Sequence, residues 1–222
     1  MRDEAALFVN ALEAAFIAEL TESQLRRINN ERIFPEILIR TADGLTRFSR
    51  LACAMARFYF AAENELTPEF RYQVISELAD RAQRRKDASD LLALCATTVE
   101  FDWLVQRPSV TIDVTELVES AASRARHVDD AKVAVTFSDD VMGGEPVFAG
   151  TQVPIDTILA CVSNGISIER IMEAYPFVTL EMVDAAKVFN AIHPGRPPRR
   201  RLGDIFPDWI VKETKTFRLP RT

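Results

Sequence analysis

Apolar residues recur at helical spacing from the start of the chain. Leu7, Phe8, Ala11, Leu12, Ala15 and Phe16 predict an amphipathic first helix. Thr21, with Gln24 three places on, has the spacing of a capping box and opens a second predicted helix from Glu22 to about Arg32, which Pro35 ends. The period then changes. Ile37–Arg40 and Leu45–Phe48 flank Asp43-Gly44, a hairpin signature. Two longer helices follow, one on Leu51, Met55, Phe58 and Ala62, the other opened by Thr67-Pro68 and carried by Phe70, Val74, Leu78 and Ala82. Helix, turn, helix, hairpin is the order of a winged helix-turn-helix, although unrelated folds also combine short helices with a hairpin.

Farther along, Leu91–Val105 and Val110–Ile112 predict strands, and Leu117, Val118, Ala121, Ala122 and Ala125 predict a helix. His127-Val128-Asp129-Asp130 reads as a hinge into a second module. There Val133–Phe137 and Pro146–Phe148 read as strands joined through Gly143-Gly144. One helix carries Ile155, Ile158, Leu159 and Val162 and stops at Asn164-Gly165, a strong C-terminal cap. A second starts at Ser167 with Ile168, Ile171, Met172 and Tyr175 and is closed by Pro176. A third opens at Thr179 with Leu180, Val183, Ala186 and Phe189 on one face. The expected fold is mainly α with small β-hairpins. It divides into a winged helix-turn-helix-like module (1–86), a connecting region with strands and a helix (87–132), a three-helix, helix-turn-helix-like module (133–193) and an extended tail (194–222).

Composition sharpens this division. Six of the seven glycines fall at or after Gly143. The 222 residues carry a net charge of −6, but Arg196–Thr222 hold eight Lys/Arg against three acids, a local +5, which leaves −11 on the rest. An acidic body argues against broad nonspecific nucleic-acid binding, and the basic tail calls for a negative partner. No apolar run is long enough to span a membrane. Met1-Arg2-Asp3-Glu4 puts acids where a secretory signal has basic residues, and Cys53, Cys95 and Cys161 fit neither a disulfide framework nor a zinc site. A cytoplasmic chain is expected.

The chemistry points away from catalysis. His127 and His193 are the two histidines, and neither sits in a nucleophile or metal pattern; no enzyme activity, cofactor or metal is expected. The glycine-rich run is no phosphate loop, since no lysine follows Gly150. The second predicted helix offers Ser23, Gln24, Arg26, Arg27, Asn29, Asn30 and Arg32, residue types that read base edges, and Arg40, Arg47 and Arg50 on the hairpin suit flanking phosphates. A solvated surface helix has the same composition. The predicted third helix of the second module sets Glu181 and Asp184 against Lys187, which suits dimerisation or protein docking better than DNA.

The run Val141-Met142-Gly143-Gly144-Glu145-Pro146-Val147-Phe148-Ala149-Gly150-Thr151-Gln152-Val153-Pro154, followed by Gly165-Ile166-Ser167, Tyr175-Pro176 and Leu180–Ala186, resembles a bacterial domain of unknown function, number 433 in its series. Its longer members, with an added N-terminal helix-turn-helix, are similar to VapB-type antitoxins. The resemblance implies a co-encoded toxin of the PIN-like ribonuclease class, dimerisation, and autoregulatory binding to operator DNA. Where the family pattern has arginine after Gly-Thr, this chain has Gln152, and a neutral amide cannot replace a bidentate guanidinium.

The tail then becomes a candidate inhibitor. Arg199, Arg200, Arg201, Lys212, Lys215 and Arg218 suit the metal-binding carboxylates that the resemblance implies in a PIN-like nuclease, with Phe206, Trp209 and Phe217 as apolar anchors. Two alternatives stay open. The tail could pack back on its own acidic body, or the chain could be a stand-alone transcriptional regulator whose tail adds phosphate contacts.

Overall fold

The computed structural model describes residues 7–42, 44–95, 101–137 and 144–194. It is mostly helical, with small antiparallel sheets. The first helix starts later than its apolar pattern suggests. Phe8–Val9 form a short strand, β1, because the Asn10 side chain accepts from the backbone N–H of Leu12 and Glu13 at 2.9 and 3.0 Å and so fixes the start of α1 at Ala11. Helix α1 (Ala11–Ala18) ends at Glu19 in the left-handed region, φ 54°. The capping box holds as expected: Gln24 N–H donates to the Thr21 hydroxyl and Thr21 N–H to the Gln24 side chain, opening α2 (Glu22–Asn30).

The expected hairpin forms from β2 (Ile39–Ala42) and β3 (Leu45–Ser49), with Ala42 paired to Leu45 and β1 added on the far side of β3, so the sheet order is β1-β3-β2. Ser49 caps α3 (Arg50–Ala61), and Thr67 with Pro68 opens α4 (Pro68–Gln83). Helix α3 is apolar almost all round and is buried from Leu51 to Ala56, which makes it the centre of the first core. The expected strand over Leu91–Val105 is corrected. Leu91 and Leu92 close a short helix, α5 (Ala88–Leu92), and among the described residues of that run only Leu104–Val105 belong to a strand, β4 (Leu104–Arg107), paired with β5 (Val110–Asp113).

The expected hinge is also corrected. Helix α6 (Thr115–Ala134) runs unbroken through His127-Val128-Asp129-Asp130 and takes in Val133 and Ala134, which the sequence suggested as strand. Val118, Ala121, Ala122, Ala125 and Val128 on it belong to the first core, while Ala131 belongs to the second. The second core is closed by β6 (Val135–Phe137) and β7 (Pro146–Phe148), then α7 (Ile155–Ser163), α8 (Ile168–Ala174) and α9 (Leu180–Ile192). Phe148, Ile155, Ile158 and Val183 are fully buried there. Helix α9 also reaches the first lobe, burying Ile192 in its core.

Charged groups reinforce this shared spine. Arg50, 7% exposed, makes a two-pronged bond to Asp129 of α6, and Lys132 of α6 reaches buried Glu13 of α1 at 2.9 Å. Arg71, 2% exposed, donates to the Tyr59 carbonyl and lies over the Tyr59 ring. Burial pushes the Cys53 thiol far above its ordinary value, so it is an inert core residue. Among the described residues, no helix is long and apolar enough to cross a membrane.

Candidate nucleic-acid interface

The α1–α2 turn is braced from outside. Glu19 occupies a backbone region that costs a non-glycine residue roughly 1–2 kcal/mol. Two arginines hold it there. Arg57 donates to the Glu19 carbonyl at 3.0 Å and pairs with its carboxylate, and Arg124 pairs with the same carboxylate at 3.1 Å while donating to the Phe16 carbonyl at 2.7 Å. Both cations sit at the C-terminal end of α1, where the exposed carbonyls favour positive charge. Neither arginine stood out in the sequence, because each acts across 38 or more positions.

With the turn fixed, α2 seats Leu25 and Ile28 in the core and shows Ser23, Arg26, Arg27 and Asn30 outward, at positions i, i+3, i+4 and i+7 of one face. These four expected residues are brought together. Their availability differs. Arg26 is 76% exposed and pairs with Glu22 in its own helix, an exposed pair of only a few tenths of a kcal/mol. Arg27 is engaged by Glu31 and Glu63, lies 5.8 Å from the Phe60 ring, and has its pKa raised by those carboxylates. Gln24 spends its side-chain oxygen in the capping box. Arg32, exposed and at φ 50°, follows the helix directly.

On the hairpin, Arg40 and Arg47 are exposed and stand opposite one another in register. Arg40 also lies 4.5 Å from the Phe8 ring. Like charges facing across strands are unfavourable in isolation. Leu45 at the hairpin tip is 65% exposed. Arg50, expected to hold a phosphate beside them, does not: the core of the first lobe and Asp129 take it.

The corresponding unit of the second lobe is differently charged. Helix α8 ends at Tyr175, and Thr179 caps α9, whose outer face presents Glu181 and Asp184, the latter bonded to Lys187 at 2.8 Å. The Thr179 hydroxyl holds the Glu181 carboxyl below its usual range. Gln152 is exposed in the turn between β7 and α7. Among the described residues, no three His, Cys, Asp or Glu side chains gather closely enough to hold a metal. The expected toxin-binding residues, Arg199, Arg200, Arg201, Phe206, Trp209, Lys212, Lys215, Phe217 and Arg218, lie outside the described residues.

Residues 135–189 match the family described as a protein of unknown function, DUF433. Over 197 residues, 89% of this chain and 86% of its counterpart, the sequence is 30% identical to the uncharacterized protein y4eO of Sinorhizobium fredii (strain NBRC 101917 / NGR234). The chain belongs to the y4eO family. The likeness to y4eO extends far beyond the DUF433 segment, so the N-terminal lobe is part of the shared plan. No solved structure matches.

Proposed function

We propose that the chain is a cytoplasmic DNA-binding antitoxin. On this reading its N-terminal lobe holds operator DNA as a winged helix-turn-helix, its C-terminal lobe joins two copies, and its tail engages a co-encoded PIN-like ribonuclease. The observation that carries the DNA-binding half is the exposed arginine pair Arg40 and Arg47, in register across the hairpin, taken with the exposed row of α2. The β1-β3-β2 sheet order around two helices joined by a tight turn supports the same reading. On this reading the two guanidiniums together clamp one backbone phosphate. Ser23, Arg26 and Asn30 then face base edges, with Arg32 on the adjoining backbone.

The antitoxin half rests on the basic, aromatic composition of the tail and on the resemblance of longer domain-433 proteins to VapB-type antitoxins. A second reading, a regulator with no toxin, is favoured by one observation: the candidate DNA surface lies wholly within the N-terminal lobe.

The decisive experiment measures binding of the full chain to the DNA upstream of its own gene over a range of salt concentrations. The chain with Arg40→Ala and Arg47→Ala is measured alongside. Expected is weaker binding to all sequences and a salt dependence shallower by about one phosphate's worth. Binding unchanged in both respects ends the DNA-binding proposal. Copurification with the product of the neighbouring gene separates the antitoxin from the stand-alone regulator.

A further inference from the structure

Along one side of the shared spine, α6 and α9 leave an open groove of about 580 Å³. Its α6 wall carries His127, Asp130 and Ala134, and its α9 wall Glu181, Asp184 and Val188. Each wall is a one-face stripe of its helix, so the two rows run side by side with a mostly apolar floor and carboxylates along the rims. Lys187 is the one ammonium among the lining residues, and Asp184 already holds it at 2.8 Å. The groove is acidic at its edges and apolar within.

We propose that this groove is the intramolecular dock of the chain's own tail, taking Arg199–Arg201 against its carboxylate rims and the apolar residues from Leu202 to Trp209 along its floor. Charge and composition match. The tail carries a local +5 with Leu202, Ile205, Phe206 and Trp209 interleaved, against an oppositely charged body. The reach matches as well. The chain leaves α9 just beyond Ile192, and α9 is 13 residues long, about 20 Å. From Gly195 to Phe206 an extended chain covers up to roughly 40 Å, enough to double back along the whole helix. Tethering supplies the rest, because a segment attached this close presents itself at about millimolar effective concentration and needs only weak intrinsic affinity.

If the tail also serves as the toxin-binding segment, as proposed above, docking shields its aromatics until the toxin competes for it. The dock itself does not depend on that reading and is tested with no toxin present. Because the groove flanks α6 and α9 rather than α2 and the hairpin, DNA binding at low salt should not require its release.

The chain has two tryptophans, Trp103 and Trp209, so fluorine NMR of the full chain labelled with 5-fluorotryptophan gives two signals, assigned with Trp209→Phe. Trp103 is buried and reports whether the body stays folded. The measurement is the shift of each signal between H2O and D2O, which marks solvent exposure. Expected is a shielded Trp209 in the full chain, becoming exposed in Asp130→Lys/Glu181→Lys. Trypsin cleavage at Arg199–Arg201 should rise about fivefold to tenfold in the same variant. Should that variant disturb Trp103, the tail substitutions Arg199→Glu, Arg200→Glu and Arg201→Glu perform the same test without touching the body. Combining both sets should restore shielding. A Trp209 that is solvent-exposed in the full chain overturns the proposal, as does shielding indifferent to both charge reversals. Shielding that vanishes on dilution places the tail in the groove of a second copy, and the intramolecular dock then fails.

Discussion

In the N-terminal lobe the helix after the tight turn, α2, buries Leu25 and Ile28 and shows Arg26, Arg27 and Asn30. In the C-terminal lobe the helix after the corresponding turn, α9, buries Val183, Ala186 and Phe189 and shows Glu181 and Asp184. Both helices are capped by threonine, at Thr21 and Thr179, and both pack through stripes of ordinary helical period. The apolar face decides how a helix sits in the fold; the outward face decides what it can touch. Two threonine-capped helices with similar apolar stripes thus present opposite charge outward, basic on α2 and acidic on α9.

The sharpest way to break the comparison is to ask whether the lobes are separable at all. Phe148→Ala empties the centre of the second core and is expected to cost about 3–5 kcal/mol. Because α6 belongs to both cores, chemical denaturation followed by far-ultraviolet circular dichroism and by Trp103 fluorescence should give one coincident transition. Two separate transitions would refute the shared spine. Next comes Asp129→Ala, which strands Arg50 in the first core. Asp129 itself is about half exposed, so the loss is about 2 kcal/mol rather than the full cost of a buried pair. Denaturation midpoints check it.

DNA affinity sharpens the charge contrast. Arg26→Ala with Arg47→Ala should weaken binding about tenfold, whereas Glu181→Ala with Asp184→Ala should leave it unchanged. A loss from the acidic pair as large as that from the basic pair would place the interface in the wrong lobe. Smaller still is Gly165→Ala. At φ 75° and with open space around it, the added methyl meets no clash, only backbone strain of about 1 kcal/mol, read as a lowered melting temperature.

Smallest is Glu77→Gln. Hydrogen bonds from Arg81 and Arg107 hold the Glu77 carboxyl below its usual range. Its contribution is thus present above the unfolded-state pKa and is lost as pH falls through the lower folded-state value. The variant should be less stable by under about 1 kcal/mol at pH 7 and equal to the parent near pH 2, by thermal denaturation at both.

What could be seen in the sequence was local. Thr21 with Gln24, Ser167, Thr179 and Asn164-Gly165 all mark helix ends through bonds made within a few residues, and each stands where its chemistry put it. Gly165 N–H closes on the Val162 carbonyl and Ile166 N–H on that of Cys161, the expected C-terminal cap. What could not be seen was distant. His127-Val128-Asp129-Asp130 looks like a polar linker because the partner of Asp129 is 79 positions away, and Val128 faces a core assembled from other segments. The candidate interface follows the same rule. Ser23, Arg26 and Asn30 form a legible face and the capping box already engages Gln24, but that Arg27 is held by Glu63 depends on a residue 36 positions away.

The end of α6 bears on how this protein can be cut and reused. The DUF433 match begins at Val135, one residue after α6 ends at Ala134. Ala131, fully buried in the second core, lies just upstream of that boundary, with Ala134 packed beside it. A gene fragment encoding only the matched segment would leave uncovered the apolar surface on which that last helical turn rests. Any protein that borrows the segment must bring its own helix, or a second subunit, to close the gap.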